Sequence, residues 1–192
     1  LVTNRYILEP FGRNTAASIV SAALHIAATH GEDAILLVLA ADHIISKQAA
    51  FLEAVAQATE LAKQDKLVTF GIKPDRPETA YGYIETDSCQ VVRFVEKPSL
   101  TLATEYLESG RYLWNSGMFC FSAGTIIKEM ELHAADIVAA TKVCIQQSKY
   151  AHGEDYSQLE LNRELFAAVA DISIDYALME KTDNVAVVPC DI

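Results

Sequence analysis

The sequence lacks the spacing patterns of zinc sites and of disulfide frameworks. It has no Cys-x-x-Cys pair and no cluster among its five histidines, and its four cysteines are far apart. Isolated thiols are typical of a reducing cytosol rather than of a secreted, disulfide-stabilised domain. These absences argue against a zinc protein and favour a cytoplasmic location. The cysteines are Cys89, Cys120, Cys144 and Cys190.

Long apolar runs and excess positive charge are also missing. No apolar stretch reaches the roughly 18 residues of a membrane-spanning helix, and the first residues do not resemble a signal peptide. Lys and Arg number 15 against 26 Asp and Glu, which gives a net charge of −11. An acidic chain is a poor binder of the nucleic-acid backbone, although a small phosphorylated ligand needs only a few local cations. We therefore expect neither a membrane nor a nucleic-acid partner.

The first 71 residues alternate between strand and helix patterns. Asn14 is expected to cap the first helix, Gly31 to end it, and Ser46 to cap the second helix. The continuous apolar run 34–39 is typical of a central parallel strand that is covered on both faces. This alternation predicts an α/β protein of one domain with right-handed crossovers. The predicted strands are 6–8, 34–39 and 67–71, and the predicted helices are 14–30 and 47–64.

The second half of the chain follows a different pattern. Two strands separated by Thr86-Asp87-Ser88-Cys89 predict an antiparallel hairpin. The polar segment 150–157 is expected to be a loop. The predicted strands are 81–85, 91–95, 117–121 and 185–188, and the predicted helices are 101–109, 123–133, 135–147 and part of 159–169.

Asp42 directly follows the apolar run 34–39 and has two interpretations. Spacing alone favours a turn or capping residue. In open α/β sheets, however, ligands bind at the carboxyl ends of strands, and a carboxylate there suits a Mg²⁺ ion that takes its remaining ligands from water and phosphate. The neighbouring His43 is typical of a hydrogen-bonding loop residue.

Two further short segments carry charge at element boundaries. The segment EPFGRNT (residues 9–15) places a carboxylate and Arg13 beside a helix N-terminus, which suits either an anion or base-edge site or simple helix capping. Glu96-Lys97-Pro98 ends a predicted strand. Its charges are typical of a solvated loop, but they would equally bind sugar hydroxyls and a phosphate.

Six blocks taken together resemble one family, in the same order along the chain. They are EPFGRNTAASI, VLAADHII, PETAYGYIE, VRFVEKP, WNSGMFCF and SIDYALMEK. They are similar to those of mannose-1-phosphate guanylyltransferases, of the bacterial type often fused to a mannose-6-phosphate isomerase, and the resemblance spans essentially the whole chain. It implies a nucleotidyltransferase-type, Rossmann-like α/β fold with a mixed, mainly parallel sheet, flanking helices and an antiparallel hairpin insertion. It also implies that GTP and α-D-mannose 1-phosphate give GDP-mannose and pyrophosphate with Mg²⁺.

The resemblance implies roles for individual residues. Asp42 would be the Mg²⁺ ligand and Lys97 the cation on the sugar phosphate, and both are expected to be catalytic. The residues implied at the nucleotide base are Glu9, Arg13, Asn14 and Thr15. The residues implied at the sugar phosphate are Tyr81, Gly82, Glu96, Lys97, Asn115 and Asp175. Glu180 and Lys181 lie in a matching block but receive no role.

The chain also departs from the family pattern. Family members begin with a glycine-rich loop that cradles the triphosphate, and they continue past VVPCDI to a second metal-binding aspartate that Asp191 does not match. Neither segment occurs here, so we expect residues 1–192 to be a truncated catalytic domain with little or no activity. Ala80 replaces a frequent glycine and would be strained if its φ were positive.

Two alternatives stay open at this point. The first is a related nucleotidyltransferase that uses another base or another sugar phosphate, although EPFGRNTA favours guanine. The second is a binding module that holds a sugar phosphate without turnover. Homo-oligomer formation is compatible with either.

Overall fold

The computed structural model describes residues 4–87, 90–153 and 155–191, and the strands in these residues form two sheets. The strands are β1 (Asn4–Leu8), β2 (Ile35–Val38), β3 (Leu67–Ile72), β4 (Tyr83–Asp87), β5 (Gln90–Val95), β6 (Tyr112–Ser122), β7 (Lys149–His152), β8 (Tyr156–Glu160) and β9 (Val185–Cys190). The helices are α1 (Asn14–His30), α2 (Gln48–Ala62), α3 (Leu100–Ser109), α4 (Ala123–His133), α5 (Ala135–Gln146) and α6 (Arg163–Phe166). A π-helical turn (Asp175–Met179) lies before β9.

The larger sheet has six strands in the order β2-β6-β3-β9-β5-β4. Strands β2, β3, β9 and β4 run in one direction, and β6 and β5 run in the other. The sheet is therefore mixed, as expected, with four strands sharing a direction although only β3 and β9 are parallel neighbours. The smaller sheet has the order β1-β8-β7.

Strand β6 changes its partner partway along its length. Its first residues pair with β4, as in Trp114 opposite Tyr83, whereas its last residues pair with β2, as in Phe119 opposite Val38. Residues 115–118, between these two pairings, have neither β2 nor β4 beside them. We call this stretch the β6 gap. Because β2 ends and β4 begins on either side of it, the loops that follow β2 and precede β4 both meet there.

Helices cover both faces of the larger sheet, and the side chains of β6 alternate between them with the period of a strand. Phe119 and Phe121 pack in a core cluster with α1, α4 and α5, whereas Met118 and Cys120 pack in a second cluster with α2. A third, mainly aromatic cluster lies beneath α3. It contains Tyr83, Ala103, Tyr106, Tyr112 and Trp114.

Most predicted elements are present within two or three residues of their expected bounds, and the hairpin is formed by β4 and β5. Its predicted turn includes Ser88 and Cys89, which lie outside the described residues. The prediction of a central parallel strand at 34–39 is wrong. Strand β2 lies at the end of the sheet order, pairs antiparallel with β6, and leaves Leu37 38% exposed. The run is apolar because Ile35 and Leu36 pack against helices on opposite faces of the sheet. An edge strand can be covered on both faces in the same way as a central strand.

Three local predictions are also wrong. The polar segment expected to be a loop is largely strand, because β7 and β8 pair there as neighbouring antiparallel strands whose exposed polar side chains hide the strand pattern. Strand β1 belongs to the smaller sheet, so the first strand–helix–strand unit does not form a crossover in the larger one. Arg13 and Lys47 are the N-cap residues of α1 and α2, and neither Asn14 nor Ser46 caps as expected.

Candidate functional site

A pocket of about 470 Å³ opens at the β6 gap. Its walls come from the loop after β2, the loop before β4, the end of β3 and the β6 gap itself. The lining is mainly apolar, with the carboxylate and imidazole of Asp42 and His43 on one side and the polar side chains of Asn115 and Ser116 on β6. The lining residues are Asp42, His43, Ile44, Ile45, Ile72, Tyr81, Trp114, Asn115, Ser116 and Met118.

The β6 gap contains a β-bulge that directs Asn115. Thr69 is opposite Phe119 and Gly71 is opposite Asn115, so residues 116–118 of β6 together face a single residue of β3. Gly117 adopts φ +69°, a left-handed conformation that glycine takes without strain. Bulges of this kind bend a strand and re-aim a side chain, and here the bulge brings the Asn115 amide towards both Thr69 and the π-helical turn.

The Asn115 side chain connects three parts of the chain. Its Oδ1 accepts hydrogen bonds from the Thr69 hydroxyl at 2.9 Å and from the Gly117 N–H at 3.3 Å. Its Nδ2 donates to Asp175 Oδ1 at 2.9 Å. Its backbone N–H donates to the Gly82 carbonyl at 2.8 Å. The amide orientation follows from these partners, because a reversed amide would place Oδ1 against a carboxylate.

Gly82 allows the Glu96 carboxylate to lie directly against the backbone. A Cβ at position 82 would lie 2.5 Å from Glu96 Oε2, far inside van der Waals contact, and 3.3 Å from Asn115 Cβ. The Glu96 side chain is only 11% exposed. Its backbone N–H donates to Glu180 Oε1 at 3.1 Å, which gives Glu180 a position beside the site that the sequence did not reveal.

Three carboxylates, those of Glu96, Asp175 and Glu180, therefore form a carboxylate cluster beside Asn115 and Gly82. Burial raises the pKa of Glu96, and the negative charge of Asp175 raises it further, while Lys97 acts in the opposite direction. Burial likewise raises the pKa of Asp175, against the hydrogen bond from Asn115. Partly buried carboxylates of this kind are good partners for hydroxyl groups.

Lys97 lies at the edge of the carboxylate cluster with its ammonium group in solvent. Its side chain is 58% exposed, and Nζ lies 3.7 Å from Glu96 Oε1. Lys97 adopts φ +48°, an uncommon conformation for a residue other than glycine, and its N–H donates to the Tyr81 carbonyl at 3.2 Å. The Tyr81 ring meets Trp114 edge-on at 5.2 Å between ring centroids. Ala80 has no positive φ, so the strain considered for that residue does not occur.

Asp42 lies on an exposed turn at the rim of the pocket. Its side chain is 90% exposed, and Oδ1 is 3.9 Å from His43 Nε2. Among the described residues, no group of three or more His, Cys, Asp or Glu side chains is arranged to hold a metal ion. A single accessible carboxylate still fits Mg²⁺, because this ion commonly takes one or two protein carboxylates and completes its shell with water and phosphate oxygens.

The segment Glu9–Thr15 does not line the pocket but attaches to the chain just before Asp175. Arg13 Nη2 donates to the Ala167 carbonyl at 2.6 Å. Thr15 Oγ1 accepts from the Ile174 N–H at 2.9 Å, next to Asp175. The Glu9 carboxylate accepts from the Ser18 hydroxyl. These contacts join the segment expected at the base to the segment that carries the sugar-side aspartate.

Asn14 begins α1 in a left-handed conformation, with φ +60°, which asparagine tolerates better than most residues. Its Oδ1 accepts from the N–H of the next residue, Thr15, at 3.1 Å, so the side chain covers the amide of the second helical residue rather than one further in.

The structure thus makes neighbours of six residues expected at the sugar phosphate, namely Tyr81, Gly82, Glu96, Lys97, Asn115 and Asp175. Tyr81 and Asn115 line the pocket together with Asp42, whereas the other four lie behind Asn115 and Tyr81 and are not part of its lining. Two further polar residues at this site, Thr69 and Glu180, were not found from the sequence. Thr69 gave no signal because a threonine is ordinary in an apolar strand. Glu180 lies in the block SIDYALMEK, but the sequence does not show its contact with Glu96, because 84 positions separate the two residues.

No helix in the described part of the chain is both long and apolar enough to cross a membrane.

Comparison with known proteins gives consistent matches. Residues 1–159 match the family described as nucleotidyl transferase. A mannose-1-phosphate guanylyltransferase of Klebsiella pneumoniae is 45% identical over 199 residues, which cover 99% of this chain and 41% of that protein. One from Sinorhizobium fredii is 48% identical over 191 residues, covering 96% of this chain and 36% of that protein. The chain therefore spans about two fifths of the length of these relatives.

A solved structure agrees with the fold. The crystal structure described as mannose-6-phosphate isomerase from Helicobacter pylori superimposes with a TM-score of 0.91 at 34% sequence identity, and the match covers 96% of this chain and 71% of that chain.

Proposed function

The chain belongs to the nucleotidyl transferase family, and from this premise we propose that the protein transfers GMP from GTP to α-D-mannose 1-phosphate. The products are GDP-mannose and pyrophosphate. The relatives that share 45% and 48% of their residues with this chain carry the name of this activity. Because the chain spans only part of their length, the reaction itself is assigned here as a proposal.

The carboxylate cluster next to Asn115 is the observation that supports this proposal most. A hexose presents several hydroxyl groups, each of which can donate to a carboxylate. Asp175 accepts a hydrogen bond from Asn115, and Glu96 lies in the space that Gly82 leaves free. The neighbouring ammonium of Lys97 provides the positive charge that a sugar phosphate needs. An array of hydroxyl acceptors with one cation at its edge fits a sugar 1-phosphate better than a neutral sugar.

The nucleotide is assigned to the segment Glu9–Thr15 at the start of α1. The Thr15 N–H already donates to Asn14 Oδ1 and the Ala16 N–H donates to the Ile172 carbonyl, so these helix amides are occupied. The groups offered to the nucleotide are therefore the exposed side chains of Asn14 and Thr15. Glu9 would accept from guanine N–H groups and Arg13 would contact the base. Arg13 already donates to the Ala167 carbonyl and so enters the site in a fixed orientation.

The reaction joins one phosphate oxygen of mannose 1-phosphate to the α-phosphorus of GTP, while the bond from that phosphorus to pyrophosphate breaks. Such a transfer depends on alignment and on neutralisation of charge rather than on covalent catalysis. Lys97 holds the attacking phosphate, and the carboxylate cluster orients the sugar. Asp42 would hold Mg²⁺, and this ion, when bound, supplies positive charge to the phosphates.

A cytoplasmic location is part of the same proposal. It is supported by the buried thiols of Cys120 and Cys144, which are free in the structure. Homo-oligomer formation and the absence of nucleic-acid and membrane partners stay predictions.

A panel of nucleotides tests the proposal directly. The protein as encoded, rather than residues 1–192 alone, is incubated with Mg²⁺, mannose 1-phosphate and GTP, ATP, UTP or dTTP in turn. Pyrophosphate release is measured together with the sugar nucleotide formed. We expect GTP to be preferred and GDP-mannose to form. Preference for another nucleotide would support a related transferase, and binding of mannose 1-phosphate without release of pyrophosphate would support a binding module.

A further inference from the structure

We propose that Thr69 is a positioning residue of the sugar-phosphate site, which acts by fixing the Asn115 amide that holds Asp175. This inference rests on the proposed function, because that function gives Asn115 and Asp175 their ligand. Nothing in the comparisons or in the family resemblance assigns a role to Thr69.

The Thr69 side chain is a fully buried hydroxyl in an apolar strand. It is 0% exposed, and its neighbours Val68 and Phe70 are buried hydrophobic residues of the same strand. Its single proton has two acceptors within reach, Asn115 Oδ1 at 2.9 Å and the Met118 carbonyl at 3.3 Å, and the shorter contact is the better hydrogen bond. Valine has nearly the same shape and suits a strand equally well, so the main role of the hydroxyl is its shorter hydrogen bond to Asn115.

Removal of the hydroxyl leaves the Asn115 amide poorly held. Asn115 Oδ1 would keep only the contact with the Gly117 N–H, which is the longer of its two hydrogen bonds. Gly117 lies within the bulge, beside the pocket rather than in the regular part of the strand. Rotation of the amide would then withdraw Nδ2 from Asp175, which would keep only the hydrogen bond from its own backbone N–H.

The charged groups around Asp175 make this loss important for a ligand. Glu96 and Glu180 bring negative charge towards the Asp175 carboxylate, and Lys97 is the cation that opposes them. Without the hydrogen bond from Asn115, the repulsion between Asp175 and the two neighbouring carboxylates is less well balanced. We therefore expect the Asp175 side chain to move away from them. Displacement of a positioned carboxylate by about 1 Å weakens recognition severely even when the fold is intact.

Calorimetric titration with mannose 1-phosphate tests the role of the hydroxyl. In Thr69→Val we expect the Kd to rise about tenfold, since a buried polar contact is lost. Thr69→Ser restores the hydroxyl and should return the Kd to within about threefold of the original protein. Thr141→Val is the matched control, because Thr141 is also 0% exposed but donates only to the Ile137 carbonyl within α5. An unchanged Kd in folded Thr69→Val overturns the proposal.

A double-mutant cycle separates positioning from general packing. If Thr69 acts through Asn115, Thr69→Val has no further effect on the Kd in an Asn115→Ala background. Equal effects in both backgrounds would show that Thr69 acts independently, contrary to the proposal.

A readout without ligand distinguishes this inference from the proposed function. NMR of the Asn115 side-chain amide should show slow hydrogen exchange in the original protein and faster exchange in Thr69→Val. Fast exchange in the original protein would overturn the inference even if Thr69→Val fails to fold. Failure of the original protein to bind mannose 1-phosphate would refute the proposed function, and the exchange rates would still decide whether Thr69 holds Asn115.

Discussion

Substitution of Gly82 by alanine adds one methyl group at the point where the backbone meets the Glu96 carboxylate. The new Cβ would lie 2.5 Å from Glu96 Oε2, whereas ordinary contact begins at 3.4 Å, so the carboxylate must withdraw by about 0.9 Å. The distance from the new Cβ to Asn115 Cβ would be 3.3 Å, so Asn115 needs to shift only slightly. Gly82 has no positive φ, so alanine fits the backbone itself and the effect is confined to these side-chain contacts.

The expected effect on ligand binding is larger than the effect on stability. Glu96 Oε2 is the end of a flexible side chain, so most of the clash is relieved by rotation. Overpacking typically costs about 1–3 kcal/mol, and the loss of glycine flexibility in the unfolded chain returns about 0.4–1 kcal/mol. We therefore expect the free energy of unfolding to fall by about 1 kcal/mol. A carboxylate displaced by nearly 1 Å should raise the Kd for mannose 1-phosphate by about 10- to 100-fold.

Denaturant unfolding and calorimetric titration measure the two effects on one sample. Gly12→Ala is the matched control, because a Cβ at Gly12 meets nothing within 4 Å and leaves sugar-phosphate binding unchanged. In a Glu96→Ala background the clash partner is absent, and Gly82→Ala should then add little. A Kd within threefold of the original value in Gly82→Ala would refute the placement of Glu96 against the ligand. A collapse of stability would show instead that the carboxylate cannot rotate away.

Three other substitutions or treatments have definite expected outcomes. Because burial raises the pKa of Asp175, its ionisation opposes folding above the unfolded-state pKa of about 4. Asp175→Asn, which can still accept from Asn115, should therefore raise the melting temperature at pH 7 while losing sugar-phosphate affinity; an equal rise at pH 4 would contradict this cause. In the intact protein, Asp42→Asn should lower Mg²⁺-dependent pyrophosphate release about 100-fold or more without changing the melting temperature, because the side chain is 90% exposed. A lower melting temperature, with normal specific activity of the protein that remains folded, would instead identify Asp42 as a turn residue. Burial and the charge of Asp191 raise the pKa of Cys190 to about 11, so its alkylation by iodoacetamide, followed by mass spectrometry, should still be increasing above pH 10. A plateau near pH 9 would contradict that shift.

Helices were predicted from the sequence more accurately than strand pairing. Helix α4 has the predicted bounds, because the residues that pack it, such as Ile126 and Met130, recur at helical spacing within one short segment. Strand β2 was recognised as a strand but placed wrongly in the sheet. Its apolar pattern indicates that helices cover it, but it does not indicate whether the strand lies in the centre or at the edge of the sheet.

The candidate site likewise contains some residues that the sequence indicates and others that only the structure reveals. The family resemblance carried by the six blocks implies Glu96, Asn115 and Asp175 as candidates, and the structure makes them neighbours. It could not select Thr69, whose hydroxyl matters only because a bulge in β6 turns the Asn115 amide towards it. It also gave no reason to place Glu180 against the Glu96 backbone.

The sequence by itself determined the α/β class and most helix bounds, because periodicity is a local property. The candidate sugar-phosphate residues came from the family resemblance of the six blocks. Only the tertiary structure decided that β6 exchanges β4 for β2 as its partner and opens a pocket between them. Strand pairing depends on contacts between segments that are distant in the sequence. The same is true of side-chain contacts in the site, since 60 positions separate Asn115 from Asp175. The geometry of the site is therefore a property of the assembled sheet rather than of any one segment.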